Sequence, residues 1–230
     1  MDIIYLIKDL WRTRNLQDWI NNRFNSPGDV IIPKQYFTAI QTQEGILFNI
    51  DDQLQFVVDS IRDYNIRDLR PNDKVLDIGA NVGGFSLRAA RITSHVHAIE
   101  PLFSHELERN IELNRSSIVV HPVALGDGSE LTLSWCGRRK VVPSYPLWRL
   151  IDMVGGCDFL KVDAEGAEWF IDPIEFKDIR RVEIELHRFG SHHQQKFNDF
   201  MKFFSRNYTI DFTPDRENPK VYGILHAGIE

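Results

Sequence analysis

Residues 75–85 read VLDIGANVGGF, and their reading decides the fold. Val75, Leu76 and Ile78 make a short apolar strand with Asp77 inside it. Gly79, Gly83 and Gly84 make a tight turn, and residues 85–91, from Phe85 onward, read as a helix. A strand, a glycine turn and a helix form a ligand cradle at the C-terminal edge of a parallel sheet. Glycine lets the backbone approach a ligand because no Cβ stands in the way. Twenty-three residues after Asp77, a second apolar strand over residues 96–99 runs into Glu100 and Pro101. An acid about 20 residues past such a turn is placed to accept hydrogen bonds from ribose hydroxyls.

Two cofactor classes use this geometry. A dinucleotide site wants G-x-G-x-x-G, and here the three positions are Gly79, Asn81 and Gly84. The middle glycine, which lets a pyrophosphate sit against the backbone, is replaced by Asn81. That argues against NAD. The pattern D-x-G-x-N-x-G instead resembles the first motif of class I S-adenosylmethionine (SAM) methyltransferases. SAM has no phosphate, so the loop need only wrap its methionine part while the acid takes the ribose. The plainer alternative is a turn that needs glycine only for packing.

From Lys74 onward strands and helices alternate, which argues for a mainly parallel sheet. Strands are expected at residues 75–78, 96–99, 118–120, 159–162 and 182–186. An extra strand is expected at 131–135, and a final antiparallel pair at 208–212 and 221–225. Helices are expected at 104–114 and 194–206, the second carrying Phe197, Phe200, Met201 and Phe204 on one face for the core. The expected fold is α/β: a doubly wound, mainly parallel, Rossmann-like seven-stranded sheet. Residues 1–70 read as an accessory region, and residues 71–230 as the ligand-binding domain. Within the first, an amphipathic helix is expected in residues 2–24, a hairpin from residues 30–32 and 46–50, and a helix over 52–64. Packing of that region on the main domain, or on a second subunit as a homodimer, suits its mixed charges better than a membrane surface.

Composition is that of a globular enzyme: 230 residues, 43% hydrophobic and 26% charged. The net charge of −6 disfavours non-specific attraction to nucleic acid. The cluster Arg138-Arg139-Lys140 reads as a solvated loop, ahead of an anion site. Cys136 and Cys157 show neither metal spacing nor a disulfide framework, which suits a reducing cytoplasm. No apolar run approaches the ~20 residues that span a bilayer, and no signal peptide is evident.

The second informative stretch is FLKVDAEGAEW, residues 159–169. Its strand ends in Asp163 at the edge where ligands of such sheets bind. Asp163, Glu165 and Glu168 bring three carboxylates within six residues, a costly crowd unless a cation stands near. Glu168 is expected to cap the following helix, where acids suit the N-terminal dipole. Lys161 is expected to pair with Glu183 or Glu185 on the next strand. His187, just beyond that strand, suits a general base at neutral pH, against the alternative of a histidine held by core partners. Asp163, Glu165, His187, His192 and His193 show no tight spacing for a metal, and none is expected.

The segments VLDIGANVGGFS, AIEP, ELERNIELN, VALGD and FLKVDAEGAE together resemble the FkbM family of SAM-dependent methyltransferases, over about residues 73–188. The resemblance implies that S-adenosyl-L-methionine is held by Asp77, Gly79, Ala80, Asn81, Gly83, Phe85, Glu100, Pro101, Val123, Ala124 and Asp163. It implies a catalytic set of Asp163, Glu165 and His187, acting on a hydroxyl of a small molecule or sugar. The family's D-x-E-G-x-E segment matches Asp163, Glu165, Gly166 and Glu168, and its later acid and histidine match Glu185 and His187. Residues 1–70 lie outside the match. An RNA or protein methyltransferase is the first rival, but no N/D-P-P-Y/F motif is present. A non-catalytic SAM-binding module is the second.

Overall fold

The computed structural model describes residues 30–31, 39–42, 44–49, 64–188, 192–215 and 218–229. The helices expected over residues 2–24 and 52–64 lie outside these residues, Tyr64 excepted. The described chain opens with three short antiparallel strands, β1 (Val30–Ile31), β2 (Ala39–Thr42) and β3 (Leu47–Asn49), ordered β1-β2-β3. The expected hairpin therefore runs between β2 and β3 around Gly45, and residues 30–31 pair with β2 instead of β3.

The main domain follows as β4 (Val75–Ile78), α1 (Gly84–Ala89), β5 (Val96–Ile99), α2 (Ser104–Asn114) and β6 (Ile118–His121). Next come β7 (Ala124–Leu125), β8 (Glu130–Trp135), β9 (Arg138–Tyr145), α3 (Leu147–Val154) and β10 (Phe159–Val162). The chain closes with β11 (Arg181–Glu185), α4 (His192–Asn207), β12 (Thr209–Pro214) and β13 (Gly223–Gly228). Seven strands form one sheet in the order β12-β13-β11-β10-β4-β5-β6. The expected α/β doubly wound, mainly parallel seven-stranded sheet is present. The final pair does not simply extend one edge, however. β13 inserts between β11 and β12 and is antiparallel to both, so six strands share one direction.

Apolar residues cover both faces of the central strands, as parallel strands require. On one face Leu76, Ile78, Leu160, Val162, Val182 and Ile184 pack with α3 and α4. Phe200 and Phe204 are buried there against Phe176 and Tyr208, which confirms the aromatic stripe as core. On the other face Val75, Val96 and Phe159 pack beneath Tyr64 and Phe85 of α1. This second face also carries a row of charge. The register sets Asp77, Lys161, Glu183, His226 and Asp211 side by side across five strands.

Two asparagines dock the small sheet. Asn114 exchanges hydrogen bonds with the Leu47 backbone, accepting from its N–H at 2.9 Å and donating to its carbonyl at 2.6 Å. One helical turn earlier, Asn110 accepts from the Asn49 N–H and donates to the Val82 carbonyl in the glycine turn, both at 2.9 Å. The face of α2 thus imitates a neighbouring strand, and it links β3 to the cradle. Asn110 is fully buried, so its loss leaves a donor and an acceptor unmatched, each costing about 1–3 kcal/mol. Asn110→Ala is therefore expected to lower the unfolding free energy by at least about 2 kcal/mol in urea titration, while Glu112→Ala, at an exposed position of the same helix, changes it little.

Candidate functional site

The cradle is built where β4 ends. Gly79 has φ 75°, and a Cβ placed on it would lie 1.7 Å from the Asp163 carbonyl oxygen. The turn and the end of β10 are thus in backbone contact, which only glycine permits. Asn81 also takes the left-handed region, with φ 51°, which asparagine tolerates better than most side chains. Its N–H donates to Glu100 Oε2 at 2.7 Å. Glu100 Oε1 accepts from the N–H groups of Leu102 and Phe103 at 2.7 and 2.9 Å. One buried carboxylate therefore fixes two loops, the glycine turn and the segment after β5. Burial pushes the Glu100 carboxyl upward, against these three N–H groups and Lys161, which favour its charged form. Asn81 Oδ1 is buried with no hydrogen-bond partner among the described residues, an acceptor left for a ligand.

A hairpin straps this loop from outside. Cys136 and Gly137, with φ 47° and 78°, make the left-handed turn that suits a twisted two-stranded ribbon. Arg138 then forms a forked ion pair with Glu106 at 2.8 and 2.5 Å, donates to the Leu102 carbonyl at 3.1 Å and lies 4.4 Å over the Phe103 ring. Lys140 donates to the Pro101 carbonyl at 3.1 Å. The basic cluster is therefore a strand with two of its three cations engaged on the loop behind Glu100, in place of the solvated loop expected; Arg139 is exposed. Alternation of Arg138 and Lys140 after Cys-Gly was the sequence signal for it.

The remaining residues expected at the cofactor site divide by depth. Asp77, Ala80 and Phe85 are buried beneath the turn. Asp77 accepts from the Ser86 hydroxyl at 2.6 Å and faces Lys161 Nζ at 3.1 Å. Phe85 stacks edge-on to Tyr64. Val123 is half-buried, and Ala124 begins β7 just beyond β6. Lys161 pairs with Asp77 and with Asp163 at 3.8 Å, and donates to the Gly79 carbonyl at 2.7 Å. It does not pair with Glu183, whose carboxylate is taken by Arg181, by His226 and by the Asn65 N–H.

The acid cluster forms where β10 and β11 end side by side. Glu168 is fully buried and reaches across to β11's end instead of simply capping its own turn. It accepts from the Gly166 N–H at 2.9 Å, the His187 N–H at 2.6 Å and the His187 ring at 3.1 Å. A carboxylate only accepts, so His187 Nδ1 carries a proton. The other ring nitrogen lies 3.4 Å from Glu165 Oε2. Burial works to lower His187, but the hydrogen bond and charge of Glu168, with Asp163 and Glu185, push it up to about 9. The ring is thus charged at neutral pH. Burial and the charge of Asp163 push Glu165 upward. Asp163, Glu185 and His187 each bring a ligand-type atom within 4.8 Å of the other two. His193 stacks on Trp169 instead, and the His192 side chain lies outside the described residues.

No family model matches the chain, and no curated protein matches it in sequence. Solved structures do match it in fold. The fibrillarin pre-rRNA processing protein of Methanococcus jannaschii is 13% identical and aligns over 87% of each chain with a TM-score of 0.52. Aeropyrum pernix fibrillarin with natively bound S-adenosyl-L-methionine is 9% identical, covers 86% of this chain and 97% of its own, and has a TM-score of 0.50. The fold is that of a class I methyltransferase. No helix among the described residues is long and apolar enough to cross a membrane. In this fold the glycine turn, Glu100 and the ends of β10 and β11 share one edge of the sheet. Gly79→Ala is expected to cost about 1–2 kcal/mol from its left-handed backbone alone, and more from the collision with Asp163. Thermal melting by circular dichroism should show a drop of several degrees at least; a wild-type melting curve would mean the turn opens without strain.

Proposed function

We propose that the chain is a SAM-dependent methyltransferase of the FkbM type that methylates a hydroxyl oxygen on a small molecule or sugar. The observation that carries this reading is the contact of Gly79 with Asp163. It joins a cradle fit for a nucleoside to a cluster of acids fit for an acceptor. One physical observation supports a ligand in the cradle: Asn81 Oδ1 is an orphaned buried acceptor beside the turn that Gly79 lets close on Asp163. Glu100, Asn81, Gly79 and Asp163 would hold SAM, with Glu100 taking the ribose hydroxyls on its remaining lone pairs. When bound, SAM supplies a methyl group on a sulfonium sulfur.

The chain's own residues then do three things. The straps from Arg138 and Lys140 keep the Glu100 loop closed, so the ribose partner is pre-positioned. Asp163 and Glu165 present carboxylates that accept the hydroxyl proton as its oxygen is alkylated. Glu168 holds His187 at the acceptor side with its ring orientation fixed. The charged ring orients oxygen by donation; a base role for His187 would first require loss of that charge.

Three measurements test the reading. SAM and S-adenosylhomocysteine should raise the melting temperature, because a ligand of the native state alone stabilises it, and NAD should not. Methyl label from SAM should pass to a hydroxylated metabolite fraction; cofactor binding with no S-adenosylhomocysteine released by any fraction would reduce the protein to a binding module. Glu100→Ala removes a charge-assisted partner of the ribose, worth about 1.5–3 kcal/mol, and should weaken SAM at least about tenfold in calorimetry. Because Glu100 also joins two loops, the same variant should melt lower than wild type, whereas unchanged affinity would place the ribose elsewhere.

A further inference from the structure

We propose that Asp163, Glu185 and His187 form a site for one divalent cation of the Mg²⁺/Mn²⁺ class, which holds the acceptor oxygen beside the cradle. The three residues come from the ends of two adjacent parallel strands, so the sheet fixes their spacing. Their ligand atoms lie within 4.8 Å of one another. Oxygen ligands about 2.1 Å from Mg²⁺ stand about 4.2 Å apart at most, across the ion. The groups therefore need to close by less than about one ångström. Two carboxylates and an imidazole are hard to borderline donors, which fits Mn²⁺ or Mg²⁺ and not a thiolate-seeking metal.

A second observation is independent of that spacing. Metal-ligating histidines give their other ring N–H to a carboxylate or carbonyl, which fixes the tautomer. Glu168 does this for His187 from a fully buried position, while also accepting the His187 and Gly166 backbone N–H groups. The ring is thus held by its backbone and by Nδ1, and Nε2 is the nitrogen turned to the acid cluster, 3.4 Å from Glu165. The cation would take the place of the Nε2 proton, and holding the acceptor oxygen would then fall to the cation in place of donation from that N–H.

Charge supports the same assignment. Asp163, Glu165, Glu168 and Glu185 gather around one histidine, and Lys161 must also answer Asp77. A divalent ion would meet these carboxylates where the two strands end, Glu185 among them, which also accepts from the Tyr64 hydroxyl at 3.3 Å. An octahedral ion bound by three protein groups keeps three positions for acceptor oxygens and water. This selects for oxygen-rich acceptors such as sugar hydroxyls. That role rests on the methyltransferase reading; the cation site itself does not.

The test is Mn²⁺ binding to the metal-stripped full chain, by electron paramagnetic resonance and calorimetry, with and without S-adenosylhomocysteine. One equivalent should bind, with nitrogen coupling in the spectrum. Glu185→Gln should abolish that binding yet keep the melting-temperature rise with S-adenosylhomocysteine, and Asp163→Asn should also abolish it. Glu168→Gln, which keeps its acceptor oxygen, should weaken Mn²⁺ about 10–100-fold, the usual effect of losing a ligand's supporting partner. Wild type that takes up no stoichiometric Mn²⁺ under either condition overturns the site, and so do Glu185→Gln and Asp163→Asn proteins that bind as wild type does. S-adenosylhomocysteine binding without Mn²⁺ would sink the cation site and leave the cofactor reading standing. Mn²⁺ binding without S-adenosylhomocysteine would do the reverse.

Discussion

The arrangement depends on one buried ammonium. Lys161 is 3% exposed, and its Nζ reaches the Gly79 carbonyl, Asp77 and Asp163 together. Burial alone would strip its proton, but Asp77 and Asp163 outweigh that and push the group upward, so it stays charged. A buried charge of this kind is tolerated only with partners in place, and losing one partner costs far more than the pair contributes. Lys161 therefore obliges β4 and β10 to keep their register, holds the carbonyl of the cradle's first glycine, and sets one face of Asp163. The glycine turn and the acid cluster meet at this one side chain.

The ends of the strands do the rest. Parallel strands deliver their last residues to one edge, so Glu100, Asp163 and the pair Glu185 and His187 come from three distant parts of the chain to a common rim. The rim is stiffened from behind. Asn110 and Glu100 tie the glycine turn to α2, to β3 and to the next loop, and the β8–β9 hairpin presses on that loop through Arg138. The acids of the rim are thus not loose surface charges, and Glu168 in particular is fully committed before any ligand arrives.

Much of this was readable locally, and the failures have a common cause. β4, β5, α2 and β10 fall on the residues expected, because compact apolar runs bounded by turn residues admit little else. Leu147, Leu150, Ile151 and Val154 do recur at helical spacing, but Pro143 and Pro146 just before them hid α3. Three successive cations hid the start of β9, and the short, half-polar β2 gave way to residues 30–32 in the expected hairpin. Glu100, Asp163 and His187 were legible as residues of the strand-end rim because each follows a strand. The partner of Lys161, the reach of Glu168 and the approach of Glu185 to Asp163 and His187 were not. Each depends on which strand lies alongside, as does the insertion of β13, and no local pattern records sheet order.

The row Asp77, Lys161, Glu183, His226 and Asp211 has a consequence for assembly. A strand that slips by one residue turns every side chain to the opposite face. For β10 such a slip would carry Lys161 from its carboxylates into the layer of Leu160 and Val162, leaving an ammonium among aliphatic groups at a penalty of several kcal/mol. Wrongly registered sheets would thus be rejected while the chain is still folding. An all-apolar sheet could trade one alignment for another at little loss; the charged stripe acts as a proofreading key for strand assembly.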